Sequence, residues 1–444
     1  MGEASFRVIA LSVVELATSF SGNLIPTRLS TYDASMRLRS MKRPVFSGDI
    51  SPRYLLLGLL LAITLFYVAL ARDSYTVDFR AFYVAAKTTH DGLDPYRNHV
   101  DISETYADGT WLRADSRFIY PPSALLLLAP LAHFSFRHAK LLFGILIPLI
   151  MVGTLLGLQR RFPRQLLVLF ALYISLPMFQ NVDYGQVDCA ILALVLATFY
   201  LGDSAAAGAC LGVAIAIKFS PVLLLLWLVR MGRWRTSIFA CVTAASLGAI
   251  AYVRWGSIFF REFLHNMMHH HESGLPRLQH VFTNVTKISL RFIQTTDGWF
   301  SYEHNLAGFY QNPLGVGRLS HIGGPAIVSI FAIWLFFSRR ARALTSEQSF
   351  FLFMAVSLLA NHLLWPMGLV MCFPLLVLLV DSSPTPNVTA LTLLLPMFLT
   401  NSVIGSANFS LFLLCAAFWI WQFGWFRKVG ETQDASVSKA EVAD

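Results

Sequence analysis

Long apolar runs separated by short polar turns dominate this chain. They lie at about 54–71, 139–157, 165–181, 187–202, 204–219, 220–230, 236–254, 325–338, 348–364, 367–381, 388–403 and 408–426. Most approach the roughly 20 residues that a helix needs to cross a hydrocarbon core of about 30 Å. The pattern predicts an all-α polytopic membrane protein with about 12 transmembrane helices. Residues 120–134 are apolar but short. At about 1.5 Å per residue they reach only about 22 Å. Pro121-Pro122 suits a first helical turn, so this stretch predicts a half-span or re-entrant helix. Pro221 predicts a break between the two runs around it. Residues 1–53 carry seven Lys/Arg, Glu15 interrupts their most apolar stretch, and no cleavage site follows it. They predict a cytoplasmic extension rather than a signal peptide. The transmembrane domain is expected over 54–428 and a flexible cytoplasmic tail over 429–444.

Composition agrees. Hydrophobic residues make up 56% of the 444 and charged ones 13%, against about 25% charged in soluble domains. That excludes a soluble enzyme, a disordered chain and a disulfide scaffold. The net charge of +9 points to arginine-rich cytoplasmic turns rather than to nucleic acid. Four clusters carry it: Arg160/Arg161/Arg164, Arg230/Arg233/Arg235, Arg339/Arg340/Arg342 and Arg427/Lys428. With all four inside, twelve crossings place the polar segments 73–119 and 255–324 outside, together with 181–186, 218–221 and 361–366. The five cysteines sit singly in apolar runs and predict small core residues.

The outer segments hold the candidate chemistry. Phe79, Phe82, Tyr83, Ala86 and His90 recur at helical spacing, which predicts an amphipathic helix over 79–90 on the membrane surface. Asp78 precedes it. Two roles fit Asp78: the N-cap, or a general base at the membrane–water boundary. Asp94 suits turn initiation before Pro95 or a second functional carboxylate. Gln186 and Asp188 suit either helix capping or hydrogen bonds to sugar hydroxyls. Lys218 either snorkels to the interface or neutralises a phosphate. Segment 255–324 holds seven of the twelve histidines. His265, His269, His270 and His271 lack the His-Glu-x-x-His order of a metal site, and an aromatic, polar lid fits better. His362 stands at an outer span end beside Asn361 and Trp365, where it needs a partner.

These residues resemble glycosyltransferase family 87. Asp78 with the aromatic and Ala-rich helix after it, Gly92-x-Asp94-Pro95-Tyr96, Tyr120-Pro121-Pro122, Gly185-Gln186 with Asp188, and Lys218 before Phe-Ser-Pro221 carry the resemblance over about 78–221. Asn284-Val-Thr286 with Ser289 and Arg291, and Asn361-His362 with Trp365, match the family's later pattern only in part. The resemblance implies a GT-C-type bundle in the inner or plasma membrane, with its active site on the extracytoplasmic side. The donor would be a polyprenyl-phosphate sugar, with mannose favoured, and the acceptor a hydroxyl of a lipid or glycan. Asp78, with His362, would be catalytic. Lys218, Arg80 and Arg291 would hold the donor phosphate. Tyr83, Asp94, Tyr96, Gln186, Asp188 and Asn284 would bind sugar or acceptor. Membrane lipids are the other expected partners, and neither a cofactor nor a metal is expected. A lipid or solute transporter or flippase is the competing class. It would carry midplane charges and paired broken helices, and the sequence shows no internal repeat.

Overall fold

The computed structural model describes residues 52–73, 76–96, 106, 118–273, 333, 336, 337, 344–359, 366–383 and 385–398. The expected N-terminal extension and C-terminal tail, and the runs 325–338 and 408–426, therefore lie largely or wholly outside the described residues. The chain divides into two compact units, Met1–Leu65 and Phe66–Asp444. In the first, the described part is the opening of helix α1 (Pro52–Asp73), where the Thr64 hydroxyl donates to the Leu60 carbonyl at 2.7 Å.

The described residues of the second unit are helical, with no strand among them. After the end of α1 come α2 (Val77–His90), α3 (Pro122–Leu128) with a 3-10 turn (Ala129–His133), and α4 (Phe136–Arg161). The run expected at 165–181 is two helices, α5 (Leu166–Tyr173) and α6 (Leu176–Tyr184), jointed at Ile174-Ser175. Then follow α7 (Asp188–Tyr200), α8 (Ala205–Ile217), a 3-10 turn at Ser220–Leu223, α9 (Leu224–Arg230) and α10 (Trp234–Trp255). The expected breaks at Pro122 and Pro221 are both present, each with proline in a first turn. Segment 255–324 opens not as a loop but as α11 (Ser257–Ser273). The described part closes with α12 (Ser346–Leu359), a 3-10 turn (Pro366–Cys372), α13 (Phe373–Asp381) and α14 (Pro386–Phe398).

Among the described residues, three stretches are long and apolar enough to cross a membrane: Phe136–Arg161, Leu166–Tyr184 and Trp234–Trp255. Leu142, Leu146 and Leu149 of α4 are each about half exposed, and Val253 of α10 is 85% exposed. Apolar faces this open belong against lipid. Within the bundle, small residues set the closest contact. A Cβ on Gly208 or Gly212 of α8 would lie 2.5 Å from side-chain carbons of Phe239 or Thr243 on α10. This small-xxx-small spacing lets two membrane helices approach backbone to backbone. Cys189 and Cys372 are buried as expected, whereas Cys241 is exposed on α10.

The long helices share two ends. Phe136 of α4 meets Phe79 of α2, and Asp188 at the start of α7 meets Lys218 at the end of α8. At the opposite ends, Arg161 of α4 binds Glu347 of α12, and Gln165 before α5 donates to Asp381 of α13. Arg233 lies over Phe199 and Trp227 at the same end as Arg161. Two of the four arginine clusters, at 160–164 and 230–235, thus stand at the helix ends away from Asp78 and Lys218, and the other two lie outside the described residues.

Candidate active site

Helix α2 places Asp78. Its N-cap is Thr76, not Asp78, and Asp78 stands in the first turn. Thr76 adopts φ 45° with its hydroxyl making no cap bond. A β-branched residue in this region costs on the order of 1–3 kcal/mol and persists only where surroundings impose it. The helix does not lie on a surface with one face covered. Arg80, Ala81, Val84 and Ala85 are buried along with Phe79, Phe82 and Tyr83. The 3-10 turn after α3, α3 itself, α4 and α6 all pack on it. Its alanines make this possible, because they let neighbours close in where larger side chains would hold them off.

Gly185 brings the second element to Asp78. It ends α6 at φ 72°, with its N–H on the Val182 carbonyl and the Gln186 N–H on the Asn181 carbonyl. That pair of bonds is the Schellman closure of a helix, which favours glycine in the left-handed conformation. A Cβ on Gly185 would fall 2.5 Å from the Phe79 Cβ. Glycine is therefore required twice, for the turn and for the contact with α2. Residues 181–184, expected in a polar turn, are the last turn of α6. Asn181 there is fully buried and donates to the Met367 carbonyl at 2.7 Å.

With α2 and α6 in contact, Gln186 Nε2 donates to Asp78 Oδ2 at 2.7 Å. The Tyr120 hydroxyl donates to Gln186 Oε1 at 2.7 Å. Tyr120 is itself held: its carbonyl accepts from the Tyr96 hydroxyl at 2.8 Å, and its ring meets Phe82 edge-on at 4.9 Å. Burial pushes the Tyr120 phenol well above its ordinary range, and the charges of Asp188 and Asp78 push it further. It is a donor that keeps its proton. Burial, with Asp94 adding to it, also raises the Tyr96 phenol.

Asp188 begins α7, and its Oδ1 accepts from Lys218 Nζ at 2.7 Å. Lys218 leaves α8 in extended conformation, φ −144° and ψ 128°, and spans to α7 rather than snorkelling alone. The pair is mostly buried, with Lys218 21% and Asp188 3% exposed. Asp188 Oδ2 is buried without a hydrogen-bond partner among the described residues. Such an ion pair owes its geometry to close contact, because both charges have given up hydration.

The other expected site residues separate. Asp94 Oδ1 accepts from the Tyr96 N–H at 2.9 Å, closing the turn after α2. The Tyr83 hydroxyl donates to the Phe134 carbonyl at 2.8 Å. Arg80 is buried, with its guanidinium 5.5 Å from the Phe136 ring centre. Arg291, Asn284 and His362 lie outside the described residues, as do the side chains of His269, His270 and His271, while His265 is exposed on α11. Sequence reasoning noted Tyr120 only within a motif, and it took Gly185 for part of a turn. The signal for both was present: a glycine after a polar helix end, and an aromatic hydroxyl directly before Pro-Pro.

The model of glycosyltransferase family 87 matches residues 118–361, more than half of the chain. The chain belongs to glycosyltransferase family 87. A family 87 protein is a transferase, moving a sugar from a donor to an acceptor, and the exposed apolar helices make this one a membrane protein. The matched region includes Tyr120, Gly185, Gln186, Asp188 and Lys218. Asp78 precedes it, and joins family 87's matched region through the hydrogen bond to Gln186. No curated protein and no solved structure matches the chain.

Proposed function

We propose that this protein transfers a sugar, mannose in the favoured case, from a polyprenyl phosphate to an acceptor hydroxyl on the extracytoplasmic face. Asp78 is the general base. The acceptor oxygen attacks the anomeric carbon, its proton passes to the Asp78 carboxylate, and the bond from anomeric carbon to phosphate oxygen breaks. Polyprenyl phosphate leaves with the bonding electrons. Attack from the face opposite the phosphate inverts the anomeric centre. One observation carries this reading: a half-buried carboxylate, held at the end of the bundle by the side-chain amide of Gln186, two residues before the buried Asp188–Lys218 pair. A structural carboxylate would ordinarily cap its helix, and Thr76 holds that position instead.

Lys218 supplies positive charge near the leaving phosphate and Asp188 fixes its direction. Interactions with an oxyanion strengthen as charge develops on it. Arg291, His362 and Asn284 keep the phosphate, catalytic and acceptor roles that the family resemblance implies. Asp188 Oδ2 is an acceptor suited to a sugar hydroxyl, and Tyr83, Asp94 and Tyr96 act from further out, through bonds to the backbone of the segments around α2 and Tyr120.

The test is transfer of label from radiolabelled polyprenyl-phosphate mannose to endogenous acceptors in membranes containing the protein. Wild-type membranes are expected to transfer label. Asp78→Asn is expected to lose transfer by about 10²–10⁴-fold, the usual contribution of a general base. Absence of transfer by the wild type from mannose and arabinose donors alike would refute the donor class.

A further inference from the structure

The charge state of Asp78 dictates how every proton around it is placed. An ionised carboxylate only accepts hydrogen bonds. The group 2.7 Å from Asp78 Oδ2 must therefore be the amide nitrogen of Gln186, and its amide oxygen must face the other way. That oxygen lies 2.7 Å from the Tyr120 hydroxyl, which must donate. Burial keeps the phenol protonated, so the donor is always available. Gln186 is 6% and Tyr120 8% exposed, so water has little access to replace either bond.

Resting on the reading of Asp78 as the base, we propose that Tyr120 is a positioning residue of the transfer reaction, acting through Gln186. The hydroxyl selects one of the two ways the Gln186 amide can face, and only that one presents N–H to Asp78. With the hydroxyl gone, Oε1 is a buried acceptor without its donor. Turning the amide then places an oxygen against the Asp78 carboxylate and repels it. The relay is braced at each member. Tyr96 and Phe82 hold Tyr120, Gly185 sets the depth of Gln186, and the Thr76 conformation starts the helix that carries Asp78. Gln186, expected from the sequence to bind sugar, spends both ends of its amide inside the protein. A base held in one orientation meets the acceptor hydroxyl without first being ordered, and small misplacements of such groups cost rate.

A double-mutant cycle on turnover at saturating polyprenyl-phosphate mannose tests this, in membranes holding matched amounts of folded protein. Tyr120→Phe is expected to lower turnover on the order of tenfold with the donor KM changed less than about twofold. In a Gln186→Leu background the same substitution is expected to cost nothing further, because Tyr120 acts through Gln186. Tyr67→Phe removes another buried hydroxyl, which donates to the Tyr173 carbonyl at 2.6 Å, and is expected to leave turnover unchanged. Equal losses from Tyr120→Phe in both backgrounds would overturn the relay, as would wild-type turnover in Tyr120→Phe while Asp78→Asn is inactive. Transfer by Asp78→Asn would overturn the base reading and the relay with it. If Tyr120→Phe does not fold, Gln186→Asn reads the same link. It keeps an amide but is one methylene too short to reach both partners, so turnover is expected to fall as in Gln186→Leu, and wild-type turnover would overturn the proposal.

Discussion

The two ends of the helix bundle hold their charged pairs differently. At the arginine end, Arg161 binds Glu347 through Nε and Nη2 at 2.9–3.2 Å, yet its side chain is 58% exposed. Gln165 and Asp381 also pair in the open. The Arg161 guanidinium keeps its water while Glu347, 11% exposed, gives up most of its own, so only one charge of the pair is desolvated. At the Asp78 end, Gln186, Tyr120 and Asp188 are all nearly buried; Tyr120 bonds Gln186, Gln186 bonds Asp78, and Asp188 bonds Lys218. Buried polar groups cost free energy unless every bond is made. Packing alone would favour apolar residues there. On the proposed reading, the contrast is one between a scaffold end and a working end within one set of helices.

Four substitutions sharpen that contrast, in falling order of effect. Lys218→Met leaves Asp188 as a buried charge without its partner and should destabilise by about 3 kcal/mol or more, with Lys218→Met/Asp188→Asn less damaging. Thermal unfolding in detergent checks both, and an unchanged midpoint in the single variant would break the claim of a buried pair. Gly185→Ala meets both the φ of 72° and the Phe79 Cβ. It should cost about 2 kcal/mol and lower turnover as well, because it pushes Gln186 away from Asp78. Glu347→Gln keeps an acceptor but removes the charge that faces the exposed Arg161, and should cost about 1 kcal/mol, with turnover per folded molecule unchanged. The smallest effect belongs to Asp203, between α7 and α8. The Thr236 N–H donates to it at 2.8 Å and holds its carboxyl below the usual carboxylate range. Its contribution is present above the unfolded pKa, about 3.9, and is lost as pH falls through the lower folded value. Melting points of the wild type and Asp203→Asn should converge at acid pH, and a gap that widens there would contradict the sign.

Much of the scaffold was legible because its rules are local. Proline in a first turn marked Pro122 and Pro221 correctly, and the two arginine clusters among the described residues stand at one end of the helices. The site was less legible because its contacts are distant in sequence. Lys218 and Asp188 are 30 residues apart, Tyr120 and Gln186 are 66 apart, and Asp78 and Gln186 are 108 apart. Periodicity says which residues share a helix face, not which helices touch. It placed Asp78 at an N-cap because aspartate favours that position, and nothing local revealed that Thr76 would take it at φ 45°. It laid α2 on a surface because the aromatic stripe is one-sided. Ala81, Ala85 and Ala86 are small enough to be buried as well, and hydrophobic spacing does not distinguish an open alanine face from a packed one.

The most direct measurement compares Asp78→Asn with Glu347→Gln in one assay, reading both label transfer from polyprenyl-phosphate mannose and the unfolding midpoint. If the chemistry belongs to the Asp78 end, Asp78→Asn melts near the wild type and transfers no label above background, whereas Glu347→Gln transfers at the wild-type rate per folded molecule. Transfer retained by folded Asp78→Asn would contradict the assignment of the base, and with it the division between a working end and a scaffold end.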